Sequence, residues 1–142
     1  MHKNKLFSIC LIITSILVAG NSNFKISFEK FIKKYEWNHR ILLLIAKNNN
    51  DKTAQETKKY FKREICKNRD RNIKLIQIIG DEINKFSLPQ KYQNKYGIWL
   101  IGYDGENKSY SKNSALLNEM HDIIDEMPIR KEEMLVKKTQ CK

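Results

Sequence analysis

Glycine and proline are scarce, at five and two positions in 142 residues. So few turn-formers exclude a collagen-like or low-complexity chain. The Gly-rich loop that cradles a phosphate and the Gly-x-Ser-x-Gly elbow of a hydrolase nucleophile are missing too. Histidine is nearly as rare: beyond the N-terminal segment only His39 and His121 occur. Their spacing makes no ligand set, although His121 and Asp125 stand one helical turn apart, so no metal centre is expected. Cysteine occurs three times, as Cys10, Cys66 and Cys141, and never as Cys-x-x-Cys. No internal repeat and no sustained heptad is present.

What is present begins at the N-terminus. Lys3 and Lys5 precede fifteen uncharged positions, Leu6 to Gly20, ending in the small residues Val18-Ala19-Gly20. Spanning a bilayer takes about twenty apolar residues, so this run has the length and ending of an export signal, with cleavage expected after Gly20. Ser8, Thr14 and Ser15 weaken the alternative, a retained membrane anchor. Cys10 lies inside the run and not just after its small residues, which argues against a lipoprotein anchor. Cleavage would remove Lys3 and Lys5 and lower the net charge from +11 to +9. The remaining lysines are dispersed, which reads as a solvated basic surface suited to acidic partners. Abundant Asn, Lys and Ile suggest a bacterial source with an AT-rich genome.

The remaining chain is long enough for one modest core. Residues 1–20 are read as the signal, 21–36 as a helical lead-in, 37–138 as the domain and 139–142 as a flexible tail. In the lead-in, Phe24, Phe28, Phe31 and Ile32 have helical spacing. Ile41 to Ile45 is a continuous apolar run, the pattern of a strand buried on both faces. Asp51 or Thr53 caps a following helix in which Ala54, Lys58, Phe61 and Ile65 share a face, ending near Lys67-Asn68. Ile73 to Ile79 is β-branched and stops at Gly80-Asp81, a second strand parallel to the first. Residues 81–95 read as a loop with a helical turn. Gly97 to Tyr103 and a strand from Glu106 to Tyr110 flank Asp104-Gly105, a two-residue hairpin signal. Asn113-Ser114 caps a last helix, with Leu117, Met120, Ile124 and Met127 on one face, which Pro128 interrupts before a charged helical stretch over 129–138.

Three segments carry a family resemblance: Trp37 with Arg40, GYDGENK at Gly102–Lys108, and IIDEMPIRKEEM at Ile123–Met134. On these the chain resembles the DUF 4174 family over about Phe31 to Met134. Its bacterial members are short exported proteins, and a related domain recurs in animal secreted matrix proteins of the sushi-repeat and equarin type. The resemblance and the element order imply an α/β, thioredoxin-like fold, a central mixed sheet of about four strands flanked by helices. The candidate residues are Trp37, Arg40, Asp104, Gly105, Met127, Pro128, Arg130 and Glu133. Tyr103 stands where the family commonly has Lys, and Ile129 where Met is frequent.

A thioredoxin places its reactive Cys where the first strand enters the next helix. Here that stretch, Ala46 to Gln55, reads AKNNNDKTAQ, and Lys95-Tyr96, not the proline a thioredoxin places just before its third strand, directly precedes Gly97. Cys66 and Cys141 either form a bridge or remain a buried thiol and a loose one, and the second is the expectation. Trp37 and Arg40 are expected to pack as core, Met127 and Met134 likewise, and Asp104 to serve its turn. Arg130 is expected to clamp a carboxylate such as Asp125 or Asp104, with a ligand carboxylate or phosphate as the alternative. These readings favour a non-catalytic envelope binding or structural module without a cofactor. Its expected partner is an acidic envelope component or a protein. Nucleic acid is disfavoured for want of an aromatic-basic motif, and membrane contact would require the N-terminal segment to be retained. The alternative is a redox or other enzyme, the former using Cys66 and Cys141.

Overall fold

The computed structural model describes residues 24–138 and 141. The expected signal at 1–20 lies outside the described residues, as does most of the expected tail.

The fold is built around β2 (Arg40–Ala46), every residue of which is buried. Successive side chains point to opposite faces, so this strand, apolar throughout after Arg40, must feed two separate layers. Leu42, Leu44 and Ala46 pack with Ala54, Leu117, Met120 and Ile124 on one face. Ile41, Leu43 and Ile45 pack with Phe28, Ile32, Tyr92 and Trp99 on the other.

The four-stranded sheet has the order β3-β2-β5-β6, with β3 at Ile73–Ile79, β5 at Gly97–Ile101 and β6 at Asn107–Ser111. β3 runs parallel to β2, pairing Arg40 with Ile73 and Ala46 with Ile79, whereas β5 is antiparallel to both β2 and β6. Flanking helices complete the mixed α/β, thioredoxin-like arrangement that the element order implies.

Local chemistry sets the helix limits. The Ser27 hydroxyl accepts the Lys30 N–H and starts α1 (Phe28–Lys33), whose Phe28 and Ile32 are buried. The Asp51 carboxylate accepts the Ala54 N–H at 3.1 Å and starts α2 (Lys52–Arg63), satisfying a donor that would otherwise be orphaned. The helix expected to run to Lys67-Asn68 stops at Glu64, and α3 (Ile65–Asp70) follows as a separate short helix. Asn68 is buried there and donates to the Phe61 carbonyl at 3.2 Å, tying the break together.

The stretch expected as loop contains a 3-10 segment (Gly80–Lys85) and a two-residue strand β4 (Phe86–Ser87). β4 pairs parallel with β1 (Ile26–Ser27), a contact too short to leave a sequence pattern. The expected two-residue hairpin is longer than read. β5 ends at Ile101, the Gly105 N–H meets the Gly102 carbonyl, and the Gly102 N–H meets that of Glu106. Gly105 at φ +74° takes the left-handed position of this three-residue loop, so Asp104-Gly105 marks the turn but not its length. Asn113 caps a 3-10 segment (Ser114–Asn118), and α4 (Met120–Asp125) follows it. Pro128 begins α5 (Pro128–Val136) as its first residue, where its missing N–H costs nothing.

The cysteine expectation is corrected: Cys66 and Cys141 are bonded to each other, with Cα atoms 5.6 Å apart. Cys66 is exposed on α3 and not buried, so its place is set by covalent geometry and not by apolar packing. Among the described residues no helix is long and apolar enough to cross a membrane.

Candidate functional site

The N-terminal end of β2 gathers chain segments that are distant in sequence. Arg40, the first residue of β2, is 1% exposed. Its Nη1 donates to the Arg71 carbonyl at 2.9 Å and to Glu133 Oε2 at 3.2 Å. Its guanidinium carbon sits 4.0 Å from the centroid of the Tyr103 ring, in cation–π contact. The Tyr103 hydroxyl donates to Glu133 Oε1 at 2.9 Å and accepts from Asn72 Nδ2 at 2.8 Å. Burial pushes the phenol pKa up, and the neighbouring Glu133 adds to that while Asn72 and Arg40 oppose it.

Behind this lies a second layer of ion pairs. Arg130, 3% exposed, reaches Asp125 Oδ1 at 3.1 Å through Nε and the Asp70 carboxylate at 2.5 Å through Nη2. Arg71 grips the same Asp125 with Nε at 2.9 Å and Nη2 at 2.5 Å. Burial raises the Asp125 pKa, but the two guanidiniums outweigh it and hold the carboxyl below its ordinary value. Arg130 is thus an internal clamp on Asp125, as expected; Asp104 is not its partner.

An open cleft of about 470 Å³ adjoins the Arg40 end of this cluster. Trp37, Tyr103 and Met127 give it an apolar wall, with Pro128 and Ile129 at the start of α5, while Arg40, Asp104 and Lys108 supply its charge. The expectation that Trp37 packs as core fails: it is 67% exposed. The backbone is the reason. Trp37 sits at φ +61°, in the left-handed region, and its N–H is fixed to the Tyr103 carbonyl at 2.9 Å. Holding a bulky residue there is strained, which marks the position as one the surrounding fold over-determines.

Asp104 keeps to its turn, accepting the Glu106 N–H at 3.0 Å and pairing with Lys108 at 2.5 Å. Gly105 approaches Glu36 so closely that a Cβ would meet its carboxylate oxygen at 2.8 Å. Met127 packs against the core, whereas Met134 is 41% exposed because it falls on the outer side of α5, contrary to expectation. Of the eight candidates, Trp37, Arg40, Asp104, Met127 and Pro128 line the cleft. Glu133 stands behind it, accepting from both Arg40 and Arg130, and Gly105 shapes the hairpin.

The sequence reading missed Asp70, Arg71 and Asn72 as site residues. Their signal was the charged pair Asp70-Arg71 immediately before an apolar strand, where a buried end needs its polar groups paired. His121 is also accounted for, with Nε2 2.8 Å from Asn68 Oδ1 and Nδ1 3.4 Å from the Tyr60 hydroxyl. Among the described residues no three His, Cys, Asp or Glu side chains are grouped to hold a metal ion.

Fold and site together define a small α/β domain in which a buried arginine–carboxylate cluster backs an open, partly apolar cleft. The chain belongs to the family described as a domain of unknown function (DUF4174), whose match covers residues 31–133. That span includes Trp37, Gly102–Lys108 and the Pro128–Glu133 segment, the three parts that meet at the cleft. No curated protein and no solved structure matches the chain.

Proposed function

We propose that this is an exported, non-catalytic binding module of the bacterial envelope, and that its contact site is the cleft at the start of β2. The observation that carries the reading is the side chain of Arg40. It is buried, forms part of the cleft wall, and leaves Nε and Nη2 without a partner among the described residues. Buried polar groups are nearly always paired, so unpaired donors beside a cleft are a binding feature before they are a packing one. The signal-like N-terminus supports export, and the net charge of +9 left after its removal supports an acidic partner from the envelope.

Two measurements test this. Fractionation of producing cells should find the protein outside the cytoplasm, and deletion of residues 2–20 should retain it inside. Amide and indole chemical shifts of the mature protein, titrated with fractionated envelope extract, should move around Trp37, Gly102–Lys108 and Met127–Ile129. Shifts confined to another face would refute the cleft as contact site.

The second reading, a redox protein, is favoured by one observation: Cys66 is exposed while bonded to Cys141. Insulin reduction by the wild type that is lost in Cys66→Ser would establish it in place of the first.

A further inference from the structure

Three arginines serve this cluster, and two of them turn the same edge to carboxylates. Arg71 presents Nε and Nη2 side by side to the two oxygens of Asp125. Arg130 turns its Nε to Asp125 and its Nη2 to Asp70. In Arg40 that edge is the unpaired one: Nε and Nη2 are buried without a hydrogen-bond partner among the described residues, while Nη1 alone carries the bonds to Arg71 and Glu133. The Tyr103 ring covers a face of the guanidinium and offers no acceptor to its edge. Side-by-side Nε–H and Nη2–H donors match the two oxygens of a carboxylate at hydrogen-bond distance, which is how Arg71 already uses them.

We infer that the cleft takes a carboxylate borne on an apolar body, and that Arg40, uncovered as the cleft side chains shift to admit the ligand, receives it through its Nε–Nη2 edge; this rests on the cleft being the contact site. Charge favours a monoanion such as a carboxylate over a phosphate dianion. Arg40, Arg71 and Arg130 are already matched by Glu133, Asp125 and Asp70, and Lys108 is already paired with Asp104. The cluster is thus already neutral, so every negative charge a ligand brings is held by hydrogen bonds and not by a spare cation, and one such charge costs less than the two of a phosphate dianion. The body of the ligand follows from the wall: exposed Trp37, with Met127, Pro128 and Ile129, offers apolar surface and an aromatic face. A free organic acid and the C-terminus of a peptide chain present the same chemistry.

The test uses the mature protein with its disulfide intact, and reads the Arg40 Nε–H and the Trp37 indole N–H by ¹⁵N-correlated NMR. Trp99, the other tryptophan, lies in the core and reports folding. The probes are 4-phenylbutanoate, 4-phenylbutanamide, inorganic phosphate, and a tripeptide ending in Phe with a free or an amidated C-terminus. The acid should move both signals and bind about tenfold or more tighter than its amide, the size of one charge-assisted buried pair. Preference for the free peptide over the small acid would identify a chain terminus as the source, and the reverse a small acid. Arg40→Lys should abolish the acid-over-amide preference. Because that buried variant risks misfolding, Trp37→Ala at an exposed position is the companion: it should weaken acid and amide alike. Equal binding of acid and amide at Trp37 would overturn the carboxylate and leave the cleft standing as a contact site. Phosphate binding as tightly as the acid would overturn it in the same way. Silence of both signals toward every probe would overturn the inference, and the envelope-extract titration then decides the cleft separately.

Discussion

Asp125 is the residue on which the buried cluster turns, because two guanidiniums converge on one carboxylate. Replacing it with Asn takes from Arg71 its bidentate carboxylate and leaves the buried Arg130 to Asp70 and Glu133, a partial loss of charge-assisted bonds that costs about 1–3 kcal/mol. Asp125→Asn should therefore lower the urea midpoint without changing the m-value, as read by circular dichroism. Its pH signature has a definite sign. A carboxyl whose folded pKa is lowered contributes stability that is present above its unfolded pKa and is lost as pH falls through the folded one. Wild-type stability should thus decline on acidification below about pH 4, and part of that slope should vanish in the variant. His121 gives the complementary case. Burial, reinforced by Arg71, lowers its pKa, so the folded state prefers the neutral ring. Its contribution is complete above the unfolded value of about 6.5 and erodes as pH falls toward the folded one. The His121 ring protons should titrate below that value, and His121→Gln should remove the stability loss over the same interval.

At the scale of elements, α5 is the most dependent part of the fold. Its outer residues Leu135 and Val136 are almost fully exposed, and Arg130 is its only buried residue. The helix is held by the polar contacts of Arg130 and Glu133, and the chain just beyond it is tied by the Cys66–Cys141 bond to α3. Closing a loop between residues 75 apart restrains the unfolded chain by about 4 kcal/mol in the entropic account. Cys141→Ser should lower global stability by up to that amount, and hydrogen exchange should rise first in α5. The central strands and the Asp51 and Asn113 caps were legible in the sequence because each rests on a local pattern, an apolar run or a capping side chain. The break at Glu64, the β1–β4 pairing and the hairpin length were not, since each is decided by contacts between segments far apart. The candidate site divides in the same way. Its family motifs picked out Trp37, Arg40 and Arg130, but Trp37 read as core because nothing in the local sequence announces a left-handed backbone. Asp70 and Arg71 went unmarked in the sequence because their partners Arg130 and Asp125 lie more than fifty residues away.

For the whole molecule, cysteine chemistry links the fold to the fate of the N-terminus. Three cysteines are encoded, two are bonded to each other, and the third, Cys10, lies in the segment read as an export signal. A protein that keeps this segment, unfolded in denaturant without reductant, should expose one thiol. A protein cleaved after Gly20 should expose none, and two after reduction. The bond itself also depends on compartment, since oxidising surroundings sustain it and a reducing cytoplasm does not. Thiol titration of the protein isolated from its producer, paired with its intact mass, therefore reads processing and oxidation at once. Zero thiols together with a mass lacking residues 1–20 would mean export, cleavage and bridging. One thiol at full mass would mean that the segment stays as an anchor while the domain still reaches an oxidising side. Two thiols at cleaved mass, or three at full mass, would mean that the bridge does not form in the cell, and α5 would then be held by Arg130 and Glu133 alone.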